Sequence, residues 1–262
     1  IQPGAPALYA VPFELTPKPP WKHCNDKEWC GMKRIFDVTM AIVGILVSSP
    51  LLLVLALWIK LSSKGPILYG QTRVGQHQKL FKLYKFRSMV VNADKLGSSV
   101  TTGHDPRITP VGRFLRRTKL DELPQLWNVL RGDMSFVGPR PDVPEIISAY
   151  TPEMMQILNI RPGITSIASL HLYQEEEILS LAEDPDDIYI RVVVPAKISL
   201  AMEHVHKNSF LFDMQVLLQT FWRLTLGRLM PTSEHPFIVE IKRQIIDLNT
   251  QVAQPMDVNA GV

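Results

Sequence analysis

The residues most able to do chemistry are two adjacent carboxylates, Asp121-Glu122, followed by Leu123-Pro124-Gln125-Leu126-Trp127-Asn128-Val129-Leu130-Arg131-Gly132. Leu123, Leu126, Trp127 and Leu130 recur at helical spacing, Pro124 suits a first turn and Gly132 a stop. The spacing therefore predicts a helix with one buried stripe and both carboxylates at its N-terminus. There the helix dipole and unpaired amides favour the anion. An ionised Asp121 is a candidate nucleophile towards phosphorus. Attack of an anion on an anion needs screening, which a carboxylate-held Mg²⁺ or Mn²⁺ and nearby arginines can supply. Arg116, Arg140 in the turn Gly138-Pro139-Arg140-Pro141, and Arg161 in Arg161-Pro162-Gly163 are candidate phosphate ligands. A planar guanidinium grips two oxygens at once. Each residue also has a structural use: Asp121 as an N-cap, Glu122 as a dipole partner, Arg116 as a surface charge, Arg140 and Arg161 as loop braces.

These residues must be positioned by the rest of the chain. Val38 to Ile59 is a run of 22 uncharged residues. As one helix it would be about 33 Å long, enough to cross a hydrocarbon core. Ser48-Ser49-Pro50 sits near its middle and predicts a kink, with the serines bonding the carbonyls that proline frees. Lys33 and Arg34 precede the run, and Lys60 and Lys64 follow it. Positive flanks favour the cytoplasmic side, so both ends on one face would make a re-entrant hairpin rather than a spanning helix. Asp37 could pair with Arg34 on the adjacent turn. After Gly65-Pro66, the apolar stretches Ile67 to Arg73 and Leu80 to Met89 predict a short hairpin around Gly75-Gln76-His77-Gln78. Asn92 to Pro110 reads as a loop and Val111 to Leu120 as a basic helix. Further helices are expected over Pro144 to Leu158, Ile198 to His206 and Phe212 to Leu226. In the last, the stripe Val216, Leu217, Phe221, Trp222, Leu224 suits a core better than a membrane interface.

Composition sets outer limits. The chain has 262 residues and a net charge of +3, with 46% hydrophobic residues, which excludes general disorder. Charge is segregated: Lys60 to Lys119 holds 13 Lys and Arg against Asp94 and Asp105, whereas His171 to Ile190 holds 7 carboxylates and no Lys or Arg. The basic block suggests lipid head groups, phosphates or nucleic acid as partners, or simply a solvated face. Cys24 and Cys30, separated by five residues, cannot make a four-thiolate zinc site and read as free thiols. Six prolines in the first 20 residues predict an extended arm.

The stretch Leu120 to Pro141, LDELPQLWNVLRGDMSFVGPRP, resembles the bacterial sugar transferase family, the monotopic phosphoglycosyl transferases. Lys33-Arg34-Ile35-Phe36-Asp37, Ser49-Pro50, Gln71, Arg73 and Gly75, Tyr84-Lys85-Phe86-Arg87-Ser88-Met89 and Arg161-Pro162-Gly163-Ile164-Thr165 extend the likeness over Lys33 to Arg228. It implies an α+β fold, mainly helical with a small β-hairpin, in a monotopic membrane protein whose N-terminal re-entrant helix is broken at Ser49-Pro50. The expected units are a proline-rich arm (1–32), the re-entrant hairpin (33–64), a cytoplasmic catalytic domain (65–228) and a C-terminal extension (229–262). The resemblance implies that Asp121 attacks the sugar-linked phosphorus of a UDP-sugar, releasing UMP, and that polyprenyl (undecaprenyl) phosphate captures the covalent intermediate. Glu122 matches the second carboxylate, for metal binding or acid-base help, with Mg²⁺ the usual ion. Arg116 and Arg140 match arginines near the phosphates, and Lys85 a basic position close by. The implied location is the cytoplasmic face of a bacterial inner membrane, with a homodimer left open and no role for nucleic acid. The chain departs from the pattern over Ser166 to Gln174, where an arginine expected near Tyr173 is missing. That departure leaves a non-catalytic scaffold for glycan-assembly enzymes as the alternative.

Overall fold

The computed structural model describes residues 27–97, 101, 105–172, 175–207, 209–225 and 236–253. Residues 1–26 of the proline-rich arm, with Cys24, therefore lie outside the described residues, as do Tyr173, Gln174 and Arg228, whereas residues 27–32, expected in the arm, begin the first helix. The first element is α1, Lys27–Ser62, the only described helix long and apolar enough to cross a membrane. Its backbone is helical on both sides of Pro50, with no non-helical residue between Lys27 and Ser62. The sequence explains how. Proline has no N–H for the carbonyl of Leu46 four residues back, and the Ser49 hydroxyl donates to that oxygen at 2.8 Å. Ser48 donates to Gly44 O at 2.6 Å.

Two strands follow, β1 (Leu68–Val74) and β2 (Leu80–Phe86), paired antiparallel in the expected hairpin with Tyr69 opposite Lys85. His77 and Gln78, both at positive φ, close it. A polar stretch containing one short 3₁₀ turn leads to α2 (Pro110–Thr118), capped by the Thr109 hydroxyl, which accepts from Gly112 N at 2.9 Å. A 3₁₀ turn over Leu120–Glu122 precedes α3 (Gln125–Arg131). Two three-residue strands, β3 (Ser135–Val137) and β4 (Gly163–Thr165), pair in parallel, a contact the sequence did not predict. The single helix expected over Pro144 to Leu158 is two pieces, α4 (Pro144–Ile147) and a 3₁₀ stretch Met154–Asn159, divided at Thr151-Pro152 because proline disfavours helix in the residue before it.

The remainder is helical: α5 (Ile167–His171), α6 (Glu175–Leu179), α7 (Pro185–Ile188) running through a π turn at Tyr189–Val193 into α8 (Val194–Lys207), then α9 (Phe210–Thr225) and α10 (Pro236–Ala253). The largest core joins α4, α6, α8 and α10 through Ile147, Leu179, Ile198 and Ile245, so the C-terminal helix shares the core of the central domain. On α9 only Val216 of the expected core stripe is fully buried. Phe221, Trp222 and Leu224 are exposed, as is Leu218.

The domain holds α1 at both ends. Towards its start, Asp37 accepts from Ser135 Oγ (3.1 Å) and Phe136 N (3.2 Å), Lys33 pairs with Asp213 of α9, and Phe36 meets Phe210 edge-on. Arg34 does not pair with Asp37. It donates to Val129 O (2.6 Å) and Leu130 O (2.8 Å), satisfying the last carbonyls of α3. Beyond Pro50, Leu55 and Ile59 are buried with Phe86, Val111 and Leu115. Thus α1 touches one domain on both sides of its proline.

Candidate active site

The charged cluster is built on the link between α2 and α3. Lys119 takes a left-handed conformation (φ 59°) and turns the chain, and the 3₁₀ turn then presents Asp121 and Glu122 inwards. Helical backbone continues through Leu123 and Pro124 into α3. The carboxylates therefore lie in a 3₁₀ first turn at the N-terminal end of the helical run that continues as α3. Neither Asp121 nor Glu122 caps a helix by a side-chain hydrogen bond; the cap positions belong to Lys119 and Pro124.

Glu122 is locked. Its Oε1 accepts from Arg140 Nη2 at 2.5 Å and from Lys85 Nζ at 3.3 Å, and its Oε2 from Arg140 Nη1 at 3.3 Å. Burial works against its charge, but Arg140 and Lys85 outweigh it and hold the carboxyl well below the usual range. Glu122 in turn raises the Arg140 guanidinium. Burial lowers the Lys85 ammonium despite Glu122, with Arg140 adding to the effect.

Asp121 differs. It is only 6% exposed, and its Oδ1 is buried with no hydrogen-bond partner. Burial pushes its carboxyl up and Glu122 adds to this, while Lys85, Arg116 and Lys119 oppose. The dipole-stabilised anion expected from sequence is thus replaced by a desolvated one whose charge depends on surrounding cations. Arg116 acts on Asp121 through its field. Arg161 does not join this group. The charges around it are Arg34, Asp37 and Asp133, at the other end of α3.

The mount for Arg140 is rigid. Gly138 N donates to Thr165 O (3.1 Å), Gly163 N to Pro139 O (2.9 Å) and Arg73 Nη1 to Pro141 O (3.1 Å). The two turns cross so closely that a Cβ on Gly138 would lie 2.3 Å from Arg161 O. This makes Arg161-Pro162-Gly163 a brace for the Arg140 turn. On the other side, Tyr150 OH donates to Asp142 at 2.7 Å.

Sequence reasoning missed the buried polar face of α3. Asn128 is fully buried. Its Oδ1 accepts from Tyr84 N (3.0 Å) and its Nδ2 donates to Lys82 O (2.7 Å), so the carboxamide docks on β2 as a neighbouring strand would. Gln125 is also buried, and Trp127, expected in the stripe, is 52% exposed. The signal was present: Gln125 and Asn128 lie three apart, flanking Leu126 and Val129 on the same face.

Among the described residues, no group of three or more His, Cys, Asp or Glu is placed to hold a metal. Asp121, whose Oδ1 is buried without a hydrogen-bond partner, is the carboxylate chemically suited to a hard cation, whereas both Glu122 oxygens are taken by cations. A divalent ion binding through one carboxylate and the phosphates of a ligand fits this donor set.

A basic cluster around a desolvated carboxylate thus lies in the same domain that holds a helix long and apolar enough to cross a membrane. Residues 28–227 match the bacterial sugar transferase family, and the chain belongs to it. It is similar to the undecaprenyl-phosphate galactose phosphotransferase of Salmonella typhimurium, 43% identical over 152 residues, covering 52% of this chain and 32% of that protein. The undecaprenyl-phosphate glucose phosphotransferase of Komagataeibacter xylinus is 37% identical over 209 residues, 77% of this chain and 37% of the relative. The exopolysaccharide production protein PSS of Rhizobium leguminosarum is 46% identical over 146 residues, 53% and 73% of the two chains. The matched part thus spans about a third of the length of the first two relatives.

Proposed function

We propose that the chain transfers a sugar-1-phosphate from a UDP-sugar to a polyprenyl phosphate such as undecaprenyl phosphate, giving polyprenyl-diphosphosugar and UMP, at the cytoplasmic face of a bacterial inner membrane. The observation that carries this reading is the desolvated Asp121, whose Oδ1 has no hydrogen-bond partner, set among cations. Lys85, Arg116 and Lys119 act on it, and Arg140 and Lys85 hold Glu122 beside it. Cations around a nucleophilic carboxylate complement the phosphates of a nucleotide sugar. The names of the two phosphotransferase relatives point to the same reaction.

In this mechanism Asp121 attacks the sugar-linked phosphorus. The bond from that phosphorus to the bridging oxygen breaks, and UMP leaves with the electron pair. A carboxylate that burial makes more basic is a stronger nucleophile once ionised, and the cations that oppose burial supply the ionised form. Arg140 and Lys85, fixed by Glu122, face the transferring phosphoryl group. An oxygen of the polyprenyl phosphate then attacks the same phosphorus, and the bond to Asp121 breaks, restoring the carboxylate. Asp121, with Glu122 if its ion pairs loosen, would hold Mg²⁺ or Mn²⁺, which neutralises phosphate charge when bound.

The contacts of α1 with one domain on both sides of Pro50 support a monotopic, re-entrant placement. The positive flanks favour the same face for both ends.

A UDP-sugar panel with the sugar-linked phosphorus labelled tests the reaction. Without lipid, label is expected on the protein with release of UMP, and chelation abolishes both. Release of UMP that requires lipid and leaves no label would replace the two-step route with direct transfer. For topology, a single cysteine at position 31 is expected to resist periplasmic maleimide; labelling there would exclude re-entry.

A further inference from the structure

Gln125 is 1% exposed, and its Nε2 is buried with no hydrogen-bond partner. It stands one helical turn after Asp121, whose Oδ1 is likewise buried and unpartnered. A buried donor and a buried acceptor, both unsatisfied on adjacent turns, are each costly, and native proteins keep such groups where function uses them. The burial of Oδ1 also decides which oxygen can react: substrate reaches Asp121 through Oδ2.

Resting on the reaction proposed above, we propose that Gln125 is a positioning residue for the nucleophile, its carboxamide turning to donate from Nε2 to Asp121 Oδ1 while Oδ2 forms and breaks its bond to phosphorus. When the Oδ2–phosphorus bond breaks, the electron pair returns to the carboxylate and spreads onto Oδ1. A donor there stabilises that charge and keeps Oδ2 aimed at the phosphoryl group. Lys85 from β2, Arg116 from α2, Lys119 and Arg140 also act on this carboxylate. None of them hydrogen-bonds the buried oxygen.

The test uses Gln125→Met, close in size and without a donor, and Gln125→Glu, which keeps the shape. Labelled UDP-sugar in the absence of lipid counts competent sites in the wild type and both variants. Turnover per competent site with lipid is then measured, together with KM for the UDP-sugar and Tm. Gln125→Met is expected to keep KM and to hold or raise Tm. Its per-site turnover should fall about tenfold to a hundredfold, the worth of one hydrogen bond to a charged group, with label persisting longer on the protein. Gln125→Glu, with a second carboxylate against the first, is expected to lose at least as much. Wild-type turnover per labelled site in Gln125→Met overturns the proposal, and so does a loss that tracks a fall in Tm in both variants. Failure of the wild type itself to take up label would instead overturn the two-step reaction.

Discussion

Two buried charge clusters hold the molecule together and differ in their balance. At the base of α1, Lys33 pairs with Asp213 of α9, Asp37 bonds the start of β3, and His204 Nε2 lies 3.5 Å from Asp213 Oδ1. Between α2 and α3, Lys85 and Arg140 both grip Glu122, while Lys85, Arg116 and Lys119 act on Asp121 through their fields. The first cluster spends its lysine on a carboxylate 180 residues away and joins the membrane helix to the domain. The second surrounds a desolvated carboxylate, Asp121, with cations. A buried ion pair between distant segments fixes a junction, whereas a desolvated carboxylate beside several cations marks a candidate functional site.

Three substitutions can break this contrast. The largest effect is expected from Asp121→Asn, which should cut turnover on the order of 10³-fold or more while Tm holds or rises, because a desolvated charge is removed. Measurement of UMP release alongside thermal unfolding checks both halves. Next, Lys33→Met leaves Asp213 buried without its cation and should cost about 3–5 kcal/mol of stability. Turnover per labelled site is expected to stay near the wild type; a selective loss of turnover would erase the distinction between the clusters.

The third test concerns pH and leaves turnover aside. Burial, aided by Lys33, pushes His204 down to about 3. Between about pH 6.5 and 3 the unfolded chain therefore binds a proton that the folded chain refuses. Stability falls as pH drops through that window, with a limiting slope of about 1.4 kcal/mol per pH unit from this residue. The difference between wild type and His204→Leu isolates the term, since Asp213 titrates in both. Parallel stability curves would show that His204 is not held neutral.

What the sequence revealed, and what it hid, follows from range. The hairpin around Gly75 and the helices now seen as α8 and α9 were legible because their patterns are local. Glu122 and Arg140 were both legible as site candidates, but their ion pair was not, since it depends on the crossing of the Gly138 and Gly163 turns. The helix-start position of Asp121 was legible, but its burial, which outweighs the dipole, comes only from tertiary packing. Arg161 looked like a phosphate ligand because its turn copies that of Arg140, yet β3–β4 pairing carries it to the opposite end of α3. The apolar face of α9 was read as core, but only tertiary structure reveals that Phe221 and Trp222 are exposed.

The amide of Asn128 serves as a rung between helix and strand. Through it, the segment bearing the acidic pair and the strand bearing Lys85 become one rigid plate, so their separation survives tilting of α1 in bilayers of differing thickness. On the proposed reaction, discrimination among sugars then falls to side chains outside that plate.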